Sequence, residues 1–414
     1  MQQVKGVIAR SKGAPVELVT INVPDPGPGE AVVRIQACGV CHTDLHYREG
    51  GIGDDYPYLL GHEAAGIVES VGPDVHDLAA GDFVILNWRA VCGDCRACRR
   101  GRPWYCFATH NATQKMTLGG VALSPALGIG AFAAKTLVAA GQATKVDSAA
   151  SPEAAGLLGC GVMAGLGAAL YPREVGRGDS VAVFGCGGVG DAAIAGALLA
   201  GASTIIAVDI DDTKLDWAKQ FGATHTVNPR QEDLPARLAA IPGQAGLVGA
   251  FDTTGVPEIM RIALDTLGPG GPLAFCGAPP PGTELCVDVQ SMLVGKRIIG
   301  ITMGDANPQR LVPQLTDLYA RGALPLERLV RLYSLADVEQ AVMQSDEVTP
   351  ERHLGARDEL RRLQQGLQKL PAKCQQIVEL RKIYGLSQRE VASRLGIAED
   401  TVERQTLLGM RALA

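Results

Sequence analysis

Four cysteines in one short stretch constrain the folding of this chain more than any other feature. Cys92, Cys95, Cys98 and Cys106 follow the spacing Cys-x2-Cys-x2-Cys-x7-Cys. Four thiolates so close together can complete a tetrahedral shell around one Zn²⁺, which leaves no coordination position open for chemistry. The spacing therefore predicts a structural zinc lobe, a loop that folds around its metal.

A second set of metal-ligating residues surrounds this lobe in sequence. It consists of Cys41, the pair His62-Glu63 and the distant Cys160. Two thiolates and one imidazole, from Cys41, His62 and Cys160, leave the fourth position of a zinc ion open. There the metal can bind an alcohol, lower its pKa and polarise the carbonyl product. We therefore expect two zinc ions per chain, one structural and one catalytic.

A glycine-rich loop follows the two zinc sets. The run Gly185-Cys186-Gly187-Gly188-Val189-Gly190 fits Gly-x-Gly-x-x-Gly, follows the apolar run Val181–Phe184 and opens a helix. Glycines in this arrangement permit a tight turn and let the backbone approach a pyrophosphate, which sits on the helix N-terminus. The loop therefore predicts a dinucleotide site that includes Gly185, Gly187, Gly188, Val189 and Gly190.

Asp209 ends the next predicted strand. An acid at this position can accept hydrogen bonds from the adenosine ribose and repel a 2′-phosphate, which favours NAD over NADP. Lys214, just beyond, either reaches the same ribose or is a solvated helix residue. Two zinc sets upstream of this loop indicate zinc-assisted hydride transfer between an alcohol and NAD.

Composition excludes several other classes of protein. The 414 residues are 47% hydrophobic and 20% charged, as in ordinary globular proteins of two or three domains. No apolar run reaches the roughly 18 residues of a membrane helix, and the N-terminus lacks a leader pattern, so we expect a cytoplasmic protein without a membrane partner. Eleven cysteines in such a chain indicate thiolate ligands rather than disulfides. We expect five others to be buried apolar residues: Cys38, Cys186, Cys276, Cys286 and Cys374.

The chain divides into four predicted segments. Residues 1–161 form an irregular β domain that carries the zinc ligands. In residues 162–303 strands alternate with helices, which predicts a doubly wound parallel sheet of the α/β class. The first of these elements are predicted strands at 180–184 and 204–209 and predicted helices at 190–200 and 213–221. Residues 304–345 return to the first domain. Residues 346–414 consist of amphipathic helical patterns alone, the first at 358–368, and predict an all-α helix-turn-helix module.

The strings Cys41-His42-Thr43-Asp44-Leu45-His46 and Gly61-His62-Glu63 resemble the zinc-containing medium-chain alcohol dehydrogenases. The resemblance implies a GroES-like catalytic domain beside a Rossmann domain, and usually a homo-oligomer. It assigns the catalytic zinc to Cys41, His62 and Cys160 and the structural zinc to the four-cysteine lobe. It further implies that Thr43 takes the substrate proton, that His46 ends the proton relay, that Glu63 can approach the metal and that Asp44 orients the ligand histidine.

Other strings narrow the resemblance in two directions. Segments 87–93, 114–118 and 126–132 resemble the S-(hydroxymethyl)mycothiol dehydrogenases, which oxidise an adduct of formaldehyde and the thiol mycothiol. Segments 251–257 and 304–330 resemble aryl-alcohol dehydrogenases of the same superfamily. The resemblance therefore implies the mycothiol–formaldehyde adduct as the substrate, with an aryl or other primary alcohol as the alternative.

The C-terminal segment has a different character. Residues 351–414 carry 12 Lys and Arg against 8 Asp and Glu, a net charge of +4. Because the whole chain has a net charge of −6, residues 1–350 carry a net charge of −10. Ala392, Gly396 and Val402 have helix-turn-helix spacing, and segment 385–404 resembles region 4 of extracytoplasmic-function sigma factors. This resemblance implies duplex DNA as a partner; the alternative is a helical tail that binds no nucleic acid.

Two further expectations concern the junction at residues 345–350, where the dehydrogenase-like part of the chain meets the sigma-like segment. The strand that closes the catalytic domain in dehydrogenases of the family has no counterpart at residues 345–350. A third functional hypothesis, from a different class, is a DNA-binding transcription regulator whose dehydrogenase body only senses NAD or zinc.

Overall fold

The computed structural model describes residues 1–147, 150–170, 175–242, 246–346, 371–378, 387–395, 397–399 and 401–404. The chain forms two compact units, Met1–Glu347 and Val348–Ala414. Helix and strand content within them is mixed α/β, as predicted.

The first unit opens with a six-stranded sheet of short and long strands. Its order is β8-β7-β2-β1-β4-β9, and only the pair β4–β9 is parallel. Strand β1 has alternating exposure over its first four residues, whereas Val7, Ile8 and Ala9 at its end are all buried, so both faces of the strand are covered there. The strands are β1 (Gln2–Ala9), β2 (Glu17–Val23), β4 (Tyr58–Leu59), β7 (Thr117–Leu118), β8 (Val121–Ala122) and β9 (Ser124–Pro125).

A five-stranded antiparallel sheet completes this β region. Its order is β10-β3-β5-β6-β11, and β3 is irregular at two points where its register with β5 shifts. The end of β3 and the start of β5 carry the chain to Cys41 and from His62, so this pair brings two ligand segments together. The strands are β3 (Glu30–Gly39), β5 (Glu63–Val71), β6 (Phe83–Leu86), β10 (Lys135–Ala139) and β11 (Ala143–Lys145).

Among the described residues, four α-helices accompany the two sheets. Helix α1 begins at the N-cap Cys41 and ends at Gly50, which adopts φ 72° as a left-handed C-cap. Helix α4 is apolar on all sides because it packs against α5 of the next sheet. The helices are α1 (His42–Glu49), α2 (Arg96–Arg99), α3 (Pro152–Leu157) and α4 (Gly161–Leu170).

A six-stranded parallel sheet follows, in the order β14-β13-β12-β15-β16-β17. Its central strands are continuous runs of buried apolar residues, because helices cover both faces. This confirms the predicted doubly wound sheet. The strands are β12 (Ser180–Phe184), β13 (Thr204–Val208), β14 (His225–Val227), β15 (Gly249–Asp252), β16 (Pro272–Phe275) and β17 (Arg297–Gly300); the helices are α5 (Gly188–Ala200), α6 (Asp212–Phe221), α7 (Leu234–Ala240), α8 (Pro257–Thr266) and α9 (Val289–Met292).

Two helices end the first unit, α10 (Pro308–Ala320) and α11 (Val338–Asp346). Val338 and Val342 of α11 pack into a core cluster with Val7 and Leu45 of the β region. Glu339 accepts a hydrogen bond from the Val16 N–H at 3.0 Å. The chain therefore returns to its N-terminal region before the tail, and residues 347–350 of the proposed junction lie outside the described residues.

The second unit contains two described helices, α12 (Ala372–Val378) and α13 (Gln388–Leu395). Ile377, Val391, Ala392 and Val402 form its small buried cluster. Residues 401–404 are also helical, whereas the helix predicted at 358–368 and the turn residue Gly396 lie outside the described residues.

Two expectations about the whole chain have outcomes here. No helix among the described residues is long and apolar enough to cross a bilayer. Every cysteine is free of a disulfide partner. The burial prediction is confirmed for Cys186 and Cys374, whereas Cys38 and Cys276 are half-buried and Cys286 is exposed, so for Cys286 the prediction is wrong. Cys286 lies in a run without strand or helix, in which its neighbours Leu285 and Val287, rather than Cys286 itself, pack against the core.

Candidate active site

The ligand set predicted for the catalytic zinc converges in the structure. One ligand atom from each of Cys41, His62, Glu63 and Cys160 lies within 4.8 Å of the others. The Nε2 atom of His62 is buried and has no hydrogen-bond partner among the described residues. A buried imidazole nitrogen without a partner is costly unless it ligates a metal, so the donor set of two sulfurs and one imidazole fits Zn²⁺.

Asp44 makes hydrogen bonds to the two chain segments that carry Cys41 and His62. Its buried carboxylate accepts hydrogen bonds from the Cys41 N–H at 3.1 Å and the Gly61 N–H at 2.9 Å, and Oδ1 lies 3.1 Å from Nδ1 of His62. This contact fixes the ring orientation and directs Nε2 of His62 towards the other ligands. A single carboxylate thus holds the backbone of Cys41 and the ring of His62 in one geometry.

Glu63 is a buried acid at the same place. Its Oε1 accepts a hydrogen bond from the Gly161 N–H at 3.0 Å, next to the ligand Cys160. Burial, followed by the negative charge of Cys41, raises the pKa of Glu63 to about 8. The Glu63 carboxylate thus lies within 4.8 Å of the other candidate ligand atoms.

The two ligand cysteines interact directly. The neighbouring Cys160 side chain holds the pKa of Cys41 well below its usual range. The low pKa favours a thiolate at Cys41, which is the form that binds a metal.

Helix α1 presents the proposed proton relay. Thr43 and His46 are three residues apart and therefore share one face of the helix. The ring of His42, at the helix start, lies edge-on to the ring of His46 with centroids 4.7 Å apart. His42 was not singled out in the sequence, although its place next to Cys41 on this helix is a signal that could have revealed it.

The four-cysteine lobe is also assembled. Its Sγ–Sγ distances are 3.5 Å for Cys95–Cys98, 3.8 Å for Cys95–Cys106 and 3.6 Å for Cys92–Cys106. A tetrahedron with Zn–S bonds of about 2.3 Å has edges of about 3.8 Å, so the four sulfurs fit one zinc ion. A backbone N–H of Cys98 directed at Cys95 contributes most to lowering the pKa of Cys95 to about 6. Arg89 supports the lobe by donating to the Cys106 carbonyl at 2.6 Å.

The glycine-rich loop adopts the geometry that a dinucleotide needs. Gly185 has φ 87°, and a Cβ on Gly190 would lie 1.8 Å from the Gly185 carbonyl oxygen, so the turn excludes larger residues there. By contrast, a Cβ on Gly187 or Gly188 would meet nothing within 4 Å. These two glycines face open space, where a phosphate can approach the backbone at the start of α5, beside Val189.

Asp209 is held against this loop. Its carboxylate accepts hydrogen bonds from the Cys186 N–H at 2.7 Å and the Asp211 N–H at 3.0 Å. Lys214, in the first turns of α6, lies near a second acid, Asp191. Asp209 and Lys214 thus flank the side of the loop at which the adenosine end is predicted.

Asp191 and Thr253 are two residues of this region that the sequence did not reveal. Asp191 is fully buried under the loop, and neither carboxylate oxygen has a hydrogen-bond partner among the described residues. The Thr253 hydroxyl lies 3.0 Å from the carbonyl oxygen of Phe184 and 3.1 Å from that of Gly185, and so ties β15 to the loop. An acid in a helix and a threonine after a strand give no such signal.

In the second unit, the predicted helix-turn-helix spacing places Ala392 and Val402 in the buried cluster. Arg389, Arg394 and Arg404 are exposed. The Gln388 side chain donates to the Glu399 carbonyl at 2.9 Å, which connects α13 to the helical residues after it. The described part of the unit thus has a small core with exposed arginines.

Comparisons with known proteins identify both units. Residues 27–148 match the family model of the alcohol dehydrogenase GroES-like domain, residues 188–321 that of the zinc-binding dehydrogenases, and residues 360–413 that of sigma-70 region 4. The chain belongs to the zinc-containing medium-chain alcohol dehydrogenases and carries a sigma-70 region 4 segment at its C-terminus. It is a dehydrogenase whose cofactors are zinc and NAD.

Three similar proteins illustrate the range of the family. An S-(hydroxymethyl)glutathione dehydrogenase of Synechocystis is 34% identical over 350 residues, which cover 81% of this chain and 95% of that protein. A geraniol dehydrogenase of Castellaniella defragrans is 33% identical over 354 residues, which cover 82% of this chain and 93% of that protein. The crystal structure of a benzyl alcohol dehydrogenase from Acinetobacter calcoaceticus is similar with a TM-score of 0.79 and 35% identity. The match covers 84% of this chain and 98% of that chain.

Proposed function

We propose that this dehydrogenase oxidises S-(hydroxymethyl)mycothiol, the adduct of formaldehyde and mycothiol. The observation that carries the assignment of an alcohol substrate is the convergence of Cys41, His62 and Cys160 around the unpartnered Nε2 of His62. The thiol adduct is supported by the mycothiol-type strings in the first 230 residues and by the relative named for a glutathione adduct.

In this proposal Cys41, His62 and Cys160 hold the catalytic zinc, and the four cysteines of the lobe hold the structural one. Asp44 orients His62 through its 3.1 Å contact. Glu63, anchored on the Gly161 N–H, is close enough to exchange with a ligand. When bound, zinc polarises the substrate oxygen, and NAD accepts the hydride.

Thr43 and His46 carry the proton in this scheme. The Thr43 hydroxyl accepts the alcohol proton, and His46, three residues on, delivers it to solvent. The edge-on contact of the His42 ring with His46 limits how His46 can turn. Gly185, Gly187, Gly188, Val189 and Gly190 receive the pyrophosphate, while Asp209 and Lys214 hold the ribose, with the Asp209 carboxylate disfavouring a 2′-phosphate.

The test is NAD reduction by the purified zinc-loaded protein. Formaldehyde alone, formaldehyde with mycothiol and formaldehyde with glutathione are compared with benzyl alcohol and geraniol. We expect the highest kcat/KM with formaldehyde and mycothiol together. Faster turnover of benzyl alcohol or geraniol would contradict the thiol adduct and favour the aryl or primary alcohol alternative, to which the benzyl alcohol and geraniol dehydrogenases lend support.

A second candidate function rests on the sigma-70 region 4 segment. We propose duplex DNA as its partner because the described unit exposes Arg389, Arg394 and Arg404 around its core. Arg404→Ala should weaken DNA binding by roughly 1–3 kcal/mol if it contacts a base. Gel-shift titration of the full chain against promoter-like and scrambled duplexes tests this, and affinity should fall steeply with salt. Promoter binding by a chain without turnover would favour a regulator that senses NAD or zinc.

We also propose that the first unit forms a homo-oligomer in the cytoplasm. Strand β17 lies at the edge of the parallel sheet, and Val289 and Leu293, which precede it in the chain, are 74% and 82% exposed. A sheet edge and exposed apolar side chains both favour pairing with a second copy. The eleven free cysteines of the whole chain suit a reducing compartment. Sedimentation equilibrium should give more than one chain per particle.

A further inference from the structure

The zinc lobe meets the turn that follows β17 of the parallel sheet, and Tyr105 makes a hydrogen bond between them. Tyr105 ends a 3-10 turn, Pro103–Tyr105, directly before the lobe cysteine Cys106. Its hydroxyl donates to Oδ2 of Asp305 at 2.9 Å, although the two residues are 200 positions apart. The Arg102 guanidinium of the same lobe also attracts the Asp305 carboxylate. Two side chains of the lobe therefore converge on one acid that follows β17.

Asp305 belongs to a turn with an unusual backbone. Met303, Gly304 and Asp305 have φ values of 56°, 67° and 49°, so all three lie in the left-handed region. That region is unfavourable for residues with a side chain, especially one as large as methionine, and persists only where the surroundings hold it. The second carboxylate oxygen of Asp305 accepts from the Thr302 N–H at 3.1 Å. One carboxylate oxygen of Asp305 thus bonds within the turn, and the other bonds to Tyr105 of the lobe.

The turn also packs tightly on α4. A Cβ on Gly304 would lie 2.3 Å from the Met163 carbonyl oxygen, and one on Gly167 would lie 2.5 Å from the Gly304 carbonyl oxygen. Helix α4 begins directly after Cys160. The turn is therefore held between the helix that follows a catalytic ligand on one side and the structural zinc lobe on the other.

The position of the turn gives it a place in cofactor binding. It follows β17 at the carboxyl edge of the parallel sheet, the edge at which dinucleotides bind. Asp209 follows β13, on the other side of the loop strand β12 in the order β14-β13-β12-β15-β16-β17. With the adenosine end at β13, the nicotinamide end extends over β15 to β17, towards Met303, Gly304 and Asp305.

We propose that Tyr105 is a positioning residue for the nicotinamide end of the cofactor: through its hydrogen bond to Asp305, the structural zinc lobe holds the left-handed turn after β17 in the shape that receives the ring. The inference rests on the proposed NAD site. It gives the structural zinc a role in cofactor geometry besides its role in folding. Tyr105 itself need not touch the cofactor, because it acts through Asp305.

The experiment compares two ligands that share the adenosine end. NADH and ADP-ribose are titrated into the zinc-loaded full-length protein, NADH by its fluorescence and ADP-ribose by calorimetry. Tyr105→Phe removes only the hydroxyl. Tyr58→Phe is the matched control, since the Tyr58 hydroxyl bonds to backbone of its own loop, at Asp55 and Ile52. Loss of one such hydrogen bond corresponds to roughly a two- to tenfold change in affinity.

We expect Tyr105→Phe to weaken NADH binding by about three- to tenfold and to leave ADP-ribose binding within about twofold, with two zinc ions retained. Asp305→Gly keeps a residue that tolerates positive φ but removes the carboxylate. It should weaken NADH binding similarly, and adding Tyr105→Phe to it should have no further effect.

Two results would overturn the inference. If Tyr105→Phe and Tyr58→Phe bind NADH as tightly as wild type, the contact positions nothing. If Tyr105→Phe weakens NADH and ADP-ribose equally, the tyrosine supports the whole fold rather than one end of the cofactor. A wild-type chain that bound neither ligand would overturn the proposed function as well, so the two failures are distinguishable.

Discussion

Replacing Asp191 with asparagine should make the stability of the cofactor-free protein less dependent on pH. Asp191 lies in the first turns of α5, is fully buried and has no hydrogen-bond partner among the described residues. Burial, together with the charge of Asp209, raises the pKa of Asp191 to about 8, from an ordinary value of 3.8. The helix N-terminus opposes this shift, but its effect of about 0.3–1 kcal/mol is smaller than the cost of burying an unpaired charge.

The direction of the pH dependence follows from this raised pKa. Between about pH 4 and pH 8 the unfolded chain has lost the Asp191 proton while the folded chain still holds it. Stability from this group is therefore fully present below pH 4 and is lost as the pH rises through 8. The loss amounts to about 1.4 kcal/mol per pH unit, or roughly 3 kcal/mol between pH 5 and pH 7.

Urea denaturation of wild type and Asp191→Asn at pH 5, 6, 7 and 8 measures this difference. The variant should gain stability relative to wild type as the pH rises, and the gain should level off above about pH 9. Asp216→Asn is the control, because Asp216 is exposed on α6 with a side-chain exposure of 69%. A difference between wild type and Asp191→Asn that stays constant from pH 5 to pH 8 would falsify the reasoning.

Four other changes have definite expected outcomes. Cys160→Ala should lower turnover by at least about a hundredfold and leave NADH binding nearly intact; unchanged NADH production would contradict its role as a ligand. Cys95→Ser should reduce the zinc content from two ions to one and lower the melting temperature by roughly 5 °C or more, so metal analysis that finds both ions would refute it. NAD should be preferred over NADP, and Asp209→Asn should reduce that preference about tenfold; equal kcat/KM values for the two cofactors in wild type would rule this out. Deleting residues 348–414 should leave kcat/KM within about twofold, and a larger loss would show that the second unit supports the first.

Much of the parallel sheet was predictable because buried parallel strands are continuous apolar runs. The predicted strand 180–184 coincides with β12, and the strand predicted at 204–209 ends one residue earlier, at Val208. The start of α5 was placed at Gly190 and lies at Gly188, since glycines carry no periodicity from which a helix boundary can be read. The short strands of the β region, such as β7 and β8, are too brief for any pattern.

The site residues that lie in short, characteristic sequence motifs were predictable, whereas those whose role depends on packing or on contacts between distant positions were not. The four-cysteine spacing and the string from Cys41 to His46 reveal their ligands, because few residue types bind zinc. Asp191 was missed because a charged residue in a helix is usually solvated, and only the packing under the loop shows that it is buried. The contact of Tyr105 with Asp305 joins positions too far apart for sequence spacing to reveal.

The two metal-ligating sets differ in how much chain each of them spans. The structural set is complete once the segment from Cys92 to Cys106 exists, whereas the catalytic set combines Cys41 and His62 with Cys160. During synthesis from the N-terminus, the lobe can therefore capture its ion before the catalytic set is complete. Closing the short segment also costs less chain entropy than joining the distant ligands. Growing cells short of zinc should accordingly accumulate chains that hold one ion in the lobe and none at Cys160, a half-metallated population that purification would recover as folded but inactive protein.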